Sequence, residues 1–168
     1  TELRQKLIGD VPSFVDAVVK LAQATRGDTA VLLVGDSGVG KEVFAQLIHQ
    51  HGRNAKARIE AVNIAGFSSS LIESELFGHE KGSFTGADRV RAGAFERAGA
   101  GTLFLDEIGY LDIALQPKLL RAIEQRRFYK VGGDREIPFQ ARLVCATSRN
   151  LAEAVQAGVF RQDLYHRI

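Results

Sequence analysis

Val31-Leu32-Leu33-Val34-Gly35-Asp36-Ser37-Gly38-Val39-Gly40-Lys41-Glu42 is the stretch that decides the fold. A short apolar run ends in a glycine-rich turn closed by Gly-Lys. The next residues, Val43-Phe44-Ala45-Gln46-Leu47-Ile48, read as helix. Strand, glycine loop and helix in that order form a phosphate-binding loop. Glycine lets backbone approach a phosphate with no Cβ in the way. The loop N–H groups and the positive end of the helix then face the anion. Lys41 adds a point charge for the β- and γ-phosphates. Gly35, Asp36, Ser37, Gly38, Val39, Gly40, Lys41 and Glu42 are therefore the expected nucleotide cradle. The general pattern has a Ser or Thr hydroxyl after the lysine to ligate Mg²⁺, and here Glu42 stands there. A glycine turn without a ligand is the plainer reading; the placing of Gly35, Gly40 and Lys41 argues against it.

Working outward, Leu103-Phe104-Leu105 reads as a buried strand that ends in Asp106-Glu107. An acid at such an end can hold Mg²⁺ beside phosphates, directly or through water. A second acid can orient or deprotonate the attacking water. Asp106 thus offers the metal an anchor that needs no loop hydroxyl. Ile59 to Asn63 alternates as a strand, and Asn63 at its end could hydrogen-bond Glu107. Ala141 to Thr147 is a further buried strand; Thr147 and Ser148 at its end either face the γ-phosphate or cap the next helix. Ser70 to Phe77, Leu115 to Arg126, Leu151 to Ala157 and Arg161 to Ile168 read as helices, and Phe14 to Ala22 carries helical spacing after Pro12. Gly78 to Gly93 reads as a loop or loop-tipped hairpin, and Phe128 to Phe139 as a hairpin broken at Gly132-Gly133-Asp134. Strands alternating with helices, several of them continuously apolar, predict an α/β fold with a parallel sheet covered on both faces. Ligands on such sheets sit at the carboxyl ends of the strands, where Gly35 and Asp106 fall.

The whole chain has 168 residues, 45% of them hydrophobic, which suits one domain. Its 22 basic and 20 acidic residues leave a net charge of +2, too balanced for a nucleic-acid-coating surface. The single cysteine, Cys145, excludes an internal disulfide and fits a reducing cytoplasm. Sequence hydropathy shows no membrane span. His49 and His51 stand two apart and share no helix face, so they read as surface or capping residues. Arg161 and Arg167 flank Asp163-Leu164-Tyr165; they are surface ion-pairing residues or arginines supplied to a neighbouring subunit. Gly82-Ser83-Phe84-Thr85-Gly86-Ala87 places an aromatic between glycines in a polar loop, either for contact with a partner or to fold back on the core.

Together these motifs resemble the central AAA+ ATPase domain of the sigma-54-dependent transcription activators. The resemblance runs from about Ile8-Gly9 to Ile168. It rests on the phosphate loop with Glu42 after the lysine, on Glu73 to Gly82, on Gly101 to Ile108, on the Phe-Thr-Gly-Ala of Phe84 to Ala87, and on Phe160 to Tyr165. It implies a P-loop NTPase with an AAA+ αβα core, using ATP and Mg²⁺, with Asp106 and Glu42 toward the metal. Ile8 and Gly9 would lie near the adenine. Asn63 would be the switch partner of Glu107, Thr147 and Ser148 the first sensor, and Arg161 and Arg167 the fingers acting in trans in a ring, usually a hexamer. Gly82 to Ala87 would touch the sigma factor, with Phe84 and Thr85 at the tip. The chain departs from the family at Ser83, where Ala is usual, and at Ser148, where Asn is usual. The resemblance also implies a fragment, its last strand, helical lid and DNA-binding domain still to follow, in a bacterial cytoplasmic protein. The alternatives are another AAA+ remodelling ATPase, and a nucleotide-binding relative that acts as a DNA-bound repressor or scaffold.

Overall fold

The computed structural model describes residues 12–25 and 27–168. Ile8 and Gly9, expected near the adenine, lie outside the described residues. The chain runs through α1 (Pro12–Ala24), β1 (Val31–Val34), α2 (Lys41–Gln50), β2 (Ile59–Asn63), α3 (Ser69–Phe77), β3 (Gly78–His79) and β4 (Arg91–Ala92). It continues with α4 (Ala94–Arg97), β5 (Thr102–Asp106), α5 (Gln116–Gln125), β6 (Arg127–Phe128), β7 (Ile137–Pro138), β8 (Arg142–Thr147), α6 (Leu151–Gln156) and α7 (Gln162–Arg167). Single 3₁₀ turns follow β2 (Ile64–Gly66) and β5 (Ile108–Tyr110).

Four strands form one parallel sheet in the order β1-β8-β5-β2. The register pairs Val34 with Thr147, Leu105 with Cys145, and Asn63 with Asp106. Three candidate residues are thereby brought to one edge of the sheet by backbone pairing alone. The two central strands, β8 and β5, are the ones buried along nearly their whole length, as strands covered on both faces are. Successive side chains leave a strand on opposite faces, so two cores result. Leu103, Leu105, Leu143 and Cys145 pack among α3, α4, α5, α6 and α7. Phe104, Val144 and Ala146 pack against Leu21 of α1 and Ala45, Leu47 and Ile48 of α2. Layers of helix, sheet and helix follow from that alternation.

The larger core is anchored by four phenylalanines. Phe95 lies 5.0 Å from Phe77, 5.5 Å from Phe128 and 4.5 Å from Phe139, centroid to centroid. Such pairs contribute about 0.5–1.5 kcal/mol beyond the area they bury. They tie α3, α4 and the small β6–β7 ribbon into one block beneath the loop that spans residues 80–90.

The segment 78–93 takes the form of a loop-tipped hairpin: Gly78–His79 and Arg91–Ala92 pair antiparallel and pinch its base. Ala94–Arg97 forms a short helix that the sequence reading passed over. His49 is not a surface residue; it is 7% exposed and its Nδ1 lies 2.9 Å from the Thr102 hydroxyl, because the last turn of α2 lies on the sheet. Among the described residues, no helix is long and apolar enough to cross a membrane.

Candidate nucleotide site

The phosphate loop is shaped by its glycines. Gly38 and Gly40 hold φ of +82° and +92°, in the left-handed region that side chains disfavour. Gly40 is also the N-cap of α2, so the helix starts at Lys41 with its positive end toward the loop. The loop is fastened to the sheet by a hydrogen bond from Gly35 N–H to the Thr147 carbonyl, 3.2 Å. Lys41 curls back over it: Nζ donates to the Gly35 and Asp36 carbonyls at 2.8 and 2.9 Å. The same nitrogen lies 3.8 Å from Glu107 Oε1, with only 9% of the lysine side chain and 14% of the glutamate exposed.

Glu107 reaches that position through an unusual backbone. Its φ is +57°, left-handed for a non-glycine residue, and it caps the turn Ile108–Tyr110. Strain of this kind, on the order of 1–3 kcal/mol, persists only where the surroundings enforce it, and it gathers at functional sites. Here the enforcement is visible. Glu107 Oε2 accepts two hydrogen bonds from Ser148, one from N–H and one from Oγ, each 3.0 Å. One carboxylate oxygen is thus held and the other is turned toward the lysine.

Asp106 is set differently. Its Oδ1 accepts the Glu107 N–H at 3.0 Å, and among the described residues its Oδ2 is approached by the Asn63 amide alone, at 3.4 Å. Burial, then the charge of Glu107, and then that of Glu42 push its carboxyl above the ordinary range; the backbone bond and Lys41 oppose them. A carboxylate with spare lone pairs among acidic neighbours, beside a phosphate cradle, is a donor suited to Mg²⁺. That ion keeps several waters and needs only one or two protein carboxylates. Among the described residues, no group of three or more His, Cys, Asp or Glu stands ready as a closed metal cage.

The remaining candidates divide. Asn63, expected to partner Glu107, instead gives its amide to Asp106, because the register places those two residues side by side. Its Oδ1 is occupied by the Ala65 N–H, capping the following turn. Thr147 is fully buried, and its hydroxyl accepts the Arg149 N–H at 3.1 Å. Arg161 is bidentate to Asp163, at 3.0 and 2.6 Å, on the surface of α7. Burial first, and then the charge of Arg167 at the other end of α7, hold the Arg126 guanidinium below its ordinary range.

The loop expected to meet a partner is built from nested turns. Gly82 N–H donates to the Ala87 carbonyl and Ala87 N–H to the Phe84 carbonyl, 2.8 and 3.0 Å. Phe84 is 42% exposed, with its ring edge-on to His79 at 5.0 Å. His79 is buried and its Nδ1 lies 2.6 Å from the Ser74 hydroxyl. Ser83 rests on the β6–β7 tip, its Oγ buried without a partner.

Two residues here escaped the sequence reading. Arg149 donates to the Gly109 carbonyl at 2.9 Å and lies over the Tyr110 ring, bracing the turn after Glu107. Gln116 is fully buried, although its place in the first turn of an amphipathic helix reads as solvent-facing. Only the tertiary fold reveals either.

Comparison with known proteins places this geometry. The family described as the Sigma-54 interaction domain matches residues 7–168. The transcriptional regulator NtrC of Escherichia coli K12 is 46% identical over 162 residues, covering 96% of this chain and 34% of NtrC. The Nif-specific regulatory protein of Azorhizobium caulinodans is 49% identical over 162 residues, covering 96% of this chain and 26% of that protein. Among solved structures, NtrX from Brucella abortus in complex with ATP superposes with a TM-score of 0.87 at 30% identity, over 96% of this chain and 34% of NtrX. The chain spans about a quarter to a third of the length of these relatives. A phosphate loop, a paired-acid strand end and a parallel αβα core, matched along nearly the whole chain, place it in the sigma-54 interaction domain family, the P-loop AAA+ domain of the sigma-54 activators.

Proposed function

We propose that this domain binds ATP with Mg²⁺, hydrolyses it, and uses the cycle to drive the 82–87 loop against sigma-54 in RNA polymerase, activating transcription. The convergence of Lys41, at the start of the helix after β1, and Glu107, just past the end of β5, carries this reading. Gly35 to Glu42 receive the phosphates, with Lys41 leaving the loop carbonyls for the β- and γ-oxygens. Asp106, helped by Glu42, would hold Mg²⁺ directly or through water, and the bound ion would supply neutralisation of phosphate charge. Glu107 takes the proton of the attacking water, its carboxylate aimed by Ser148. Thr147 acts from within the strand end rather than by touching phosphate. Arg161 and Arg167 act on the site of a neighbouring copy in a ring, a hexamer. Phe84 and Thr85 are the contact tip, with Gly82, Ser83, Gly86 and Ala87 shaping the turn. DNA contact belongs to a segment beyond this domain, and the work is done in the bacterial cytoplasm.

The test pairs two substitutions in the full-length protein. Glu107→Gln is expected to bind ATP normally and to lose phosphate release by about 10²–10⁴-fold, the usual worth of a positioned base. Phe84→Ala is expected to hydrolyse ATP and to fail to co-precipitate sigma-54. Full hydrolysis by Glu107→Gln, or undiminished sigma-54 capture by Phe84→Ala, contradicts the proposal.

A further inference from the structure

One buried amide joins the turn after Glu107 to the backbone of Arg161. Gln116 is 0% exposed. Its Nε2 donates to the Leu111 carbonyl at 2.9 Å and to the Val159 carbonyl at 3.0 Å. Its Oε1 accepts the Arg161 N–H at 2.7 Å. Both amide hydrogens and the amide oxygen are therefore used, and all three partners are backbone groups outside α5. Leu111 closes the turn Ile108–Tyr110, its N–H bonded to the Ile108 carbonyl, and Tyr110 N–H bonds the Glu107 carbonyl. Val159 and Arg161 flank Phe160, which is locked in the core at 2% exposure. Arg161 is in turn the N-cap of α7.

Buried polar groups must be paired, and a buried network holds one arrangement because any other leaves its members unsatisfied. A displacement of the Glu107 turn that carries Leu111 along must drag Gln116, break its bonds, or move Arg161 with it. The cost of unpairing a buried, fully used amide favours moving together. The Arg161 side chain is free to follow: among the described residues its side-chain hydrogen bonds go to Asp163 alone, between two surface groups more than 40% exposed. Exposed pairs of this kind are weak.

We propose that Gln116 is a positioning residue that couples the Glu107 turn of one chain to the arginine that chain presents to a neighbouring copy. Nucleotide events at one site then alter the arginine at the next site around a ring. This inference rests on the function proposed above, in particular on Arg161 acting in trans.

Subunit mixing tests it in the full-length protein, with phosphate release as the readout. Glu107→Gln chains present a sound arginine but do not hydrolyse. Arg161→Ala chains keep their own acids but present no arginine. Mixing these two restores activity if arginine acts in trans, and no restoration overturns the trans reading and this inference with it. Gln116→Met is expected to lose about tenfold or more of the activity alone, within the roughly 10³–10⁵-fold that an arginine supplied to phosphoryl transfer is worth. It is expected to keep ATP affinity and to be restored several-fold by Glu107→Gln chains. A Gln116→Met that is inactive in every mixture, while Arg161→Ala is rescued, shows that Gln116 serves only its own site and overturns the inference. Should Gln116→Met fail to bind ATP, Gln116→Glu replaces it: that variant keeps the acceptor for Arg161 N–H and, with at most one O–H to donate, cannot serve both Leu111 and Val159. The same rescue is expected, and its absence is decisive in the same way.

Discussion

Ser148 donates twice to a single oxygen of Glu107, from its backbone N–H and from its hydroxyl, each at 3.0 Å. The other oxygen is left to face Lys41. Removing the hydroxyl leaves the N–H bond, so the carboxylate loosens without being released. Ser148→Ala is expected to lower kcat about tenfold while leaving the ATP dissociation constant within about twofold, since hydrogen bonds to charged groups contribute about 1.5–3 kcal/mol. Ser148→Thr is expected to retain most of the rate. Steady-state kinetics beside calorimetry separate the two parameters; equal losses in rate and affinity would argue for phosphate contact instead.

Ser83 sits against Gly132 so closely that a Cβ on Gly132 would fall 2.6 Å from the Ser83 Cβ, and Gly132 itself holds φ of +72°. A side chain there is disfavoured by its backbone and by its neighbour. Gly132→Leu is expected to unseat the 82–87 loop while the sheet, on the far side of the phenylalanine cluster, stays folded. Faster protease cleavage within residues 82–87 at an unchanged ATP affinity would show it. Unaltered cleavage would mean that the β6–β7 tip does not support the loop.

Cys145 lies in the middle of β8 at 0% exposure, and burial pushes its thiol up to about 12. The thiolate is the reactive form, so the native protein is expected to leave a thiol-specific reagent unconsumed at pH 8 and to titrate one equivalent in denaturant. The sign for stability follows from the same shift. An unfolded chain ionises this thiol from about pH 9, the folded one only near 12, so its contribution is complete below about pH 9 and fades as pH rises toward 12. A rapid reaction in the native state would contradict the burial.

The sheet was legible because its strands are apolar runs that end in chemistry: Val31 to Val34 before the glycine loop, Leu103 to Asp106, and Leu143 to Thr147. Periodicity gave the long helices for the same reason. What escaped depends on contacts that no local pattern encodes. Ala94–Arg97 is too short to show a period, yet its Phe95 anchors the aromatic block. His49 is polar by composition and buried by docking. At the site, Lys41, Asp106 and Glu107 could be named from spacing, but their hydrogen bonds could not. Asn63 goes to Asp106 through strand register, and Glu107 reaches Ser148 only because its backbone turns left-handed. Gln116 is a core residue with a surface residue's name.

Calorimetry with ATP and Mg²⁺ tests most directly whether the glycine loop and the paired-acid strand end form one nucleotide site. The full-length protein is compared with Lys41→Ala, a variant that removes the charge and its bonds to Gly35 and Asp36. Saturable heat from the unsubstituted protein and a loss of affinity of about a hundredfold or more in the variant are expected, since a lysine contact to phosphate is charge-assisted. Equal heat and equal affinity in both proteins would contradict the account.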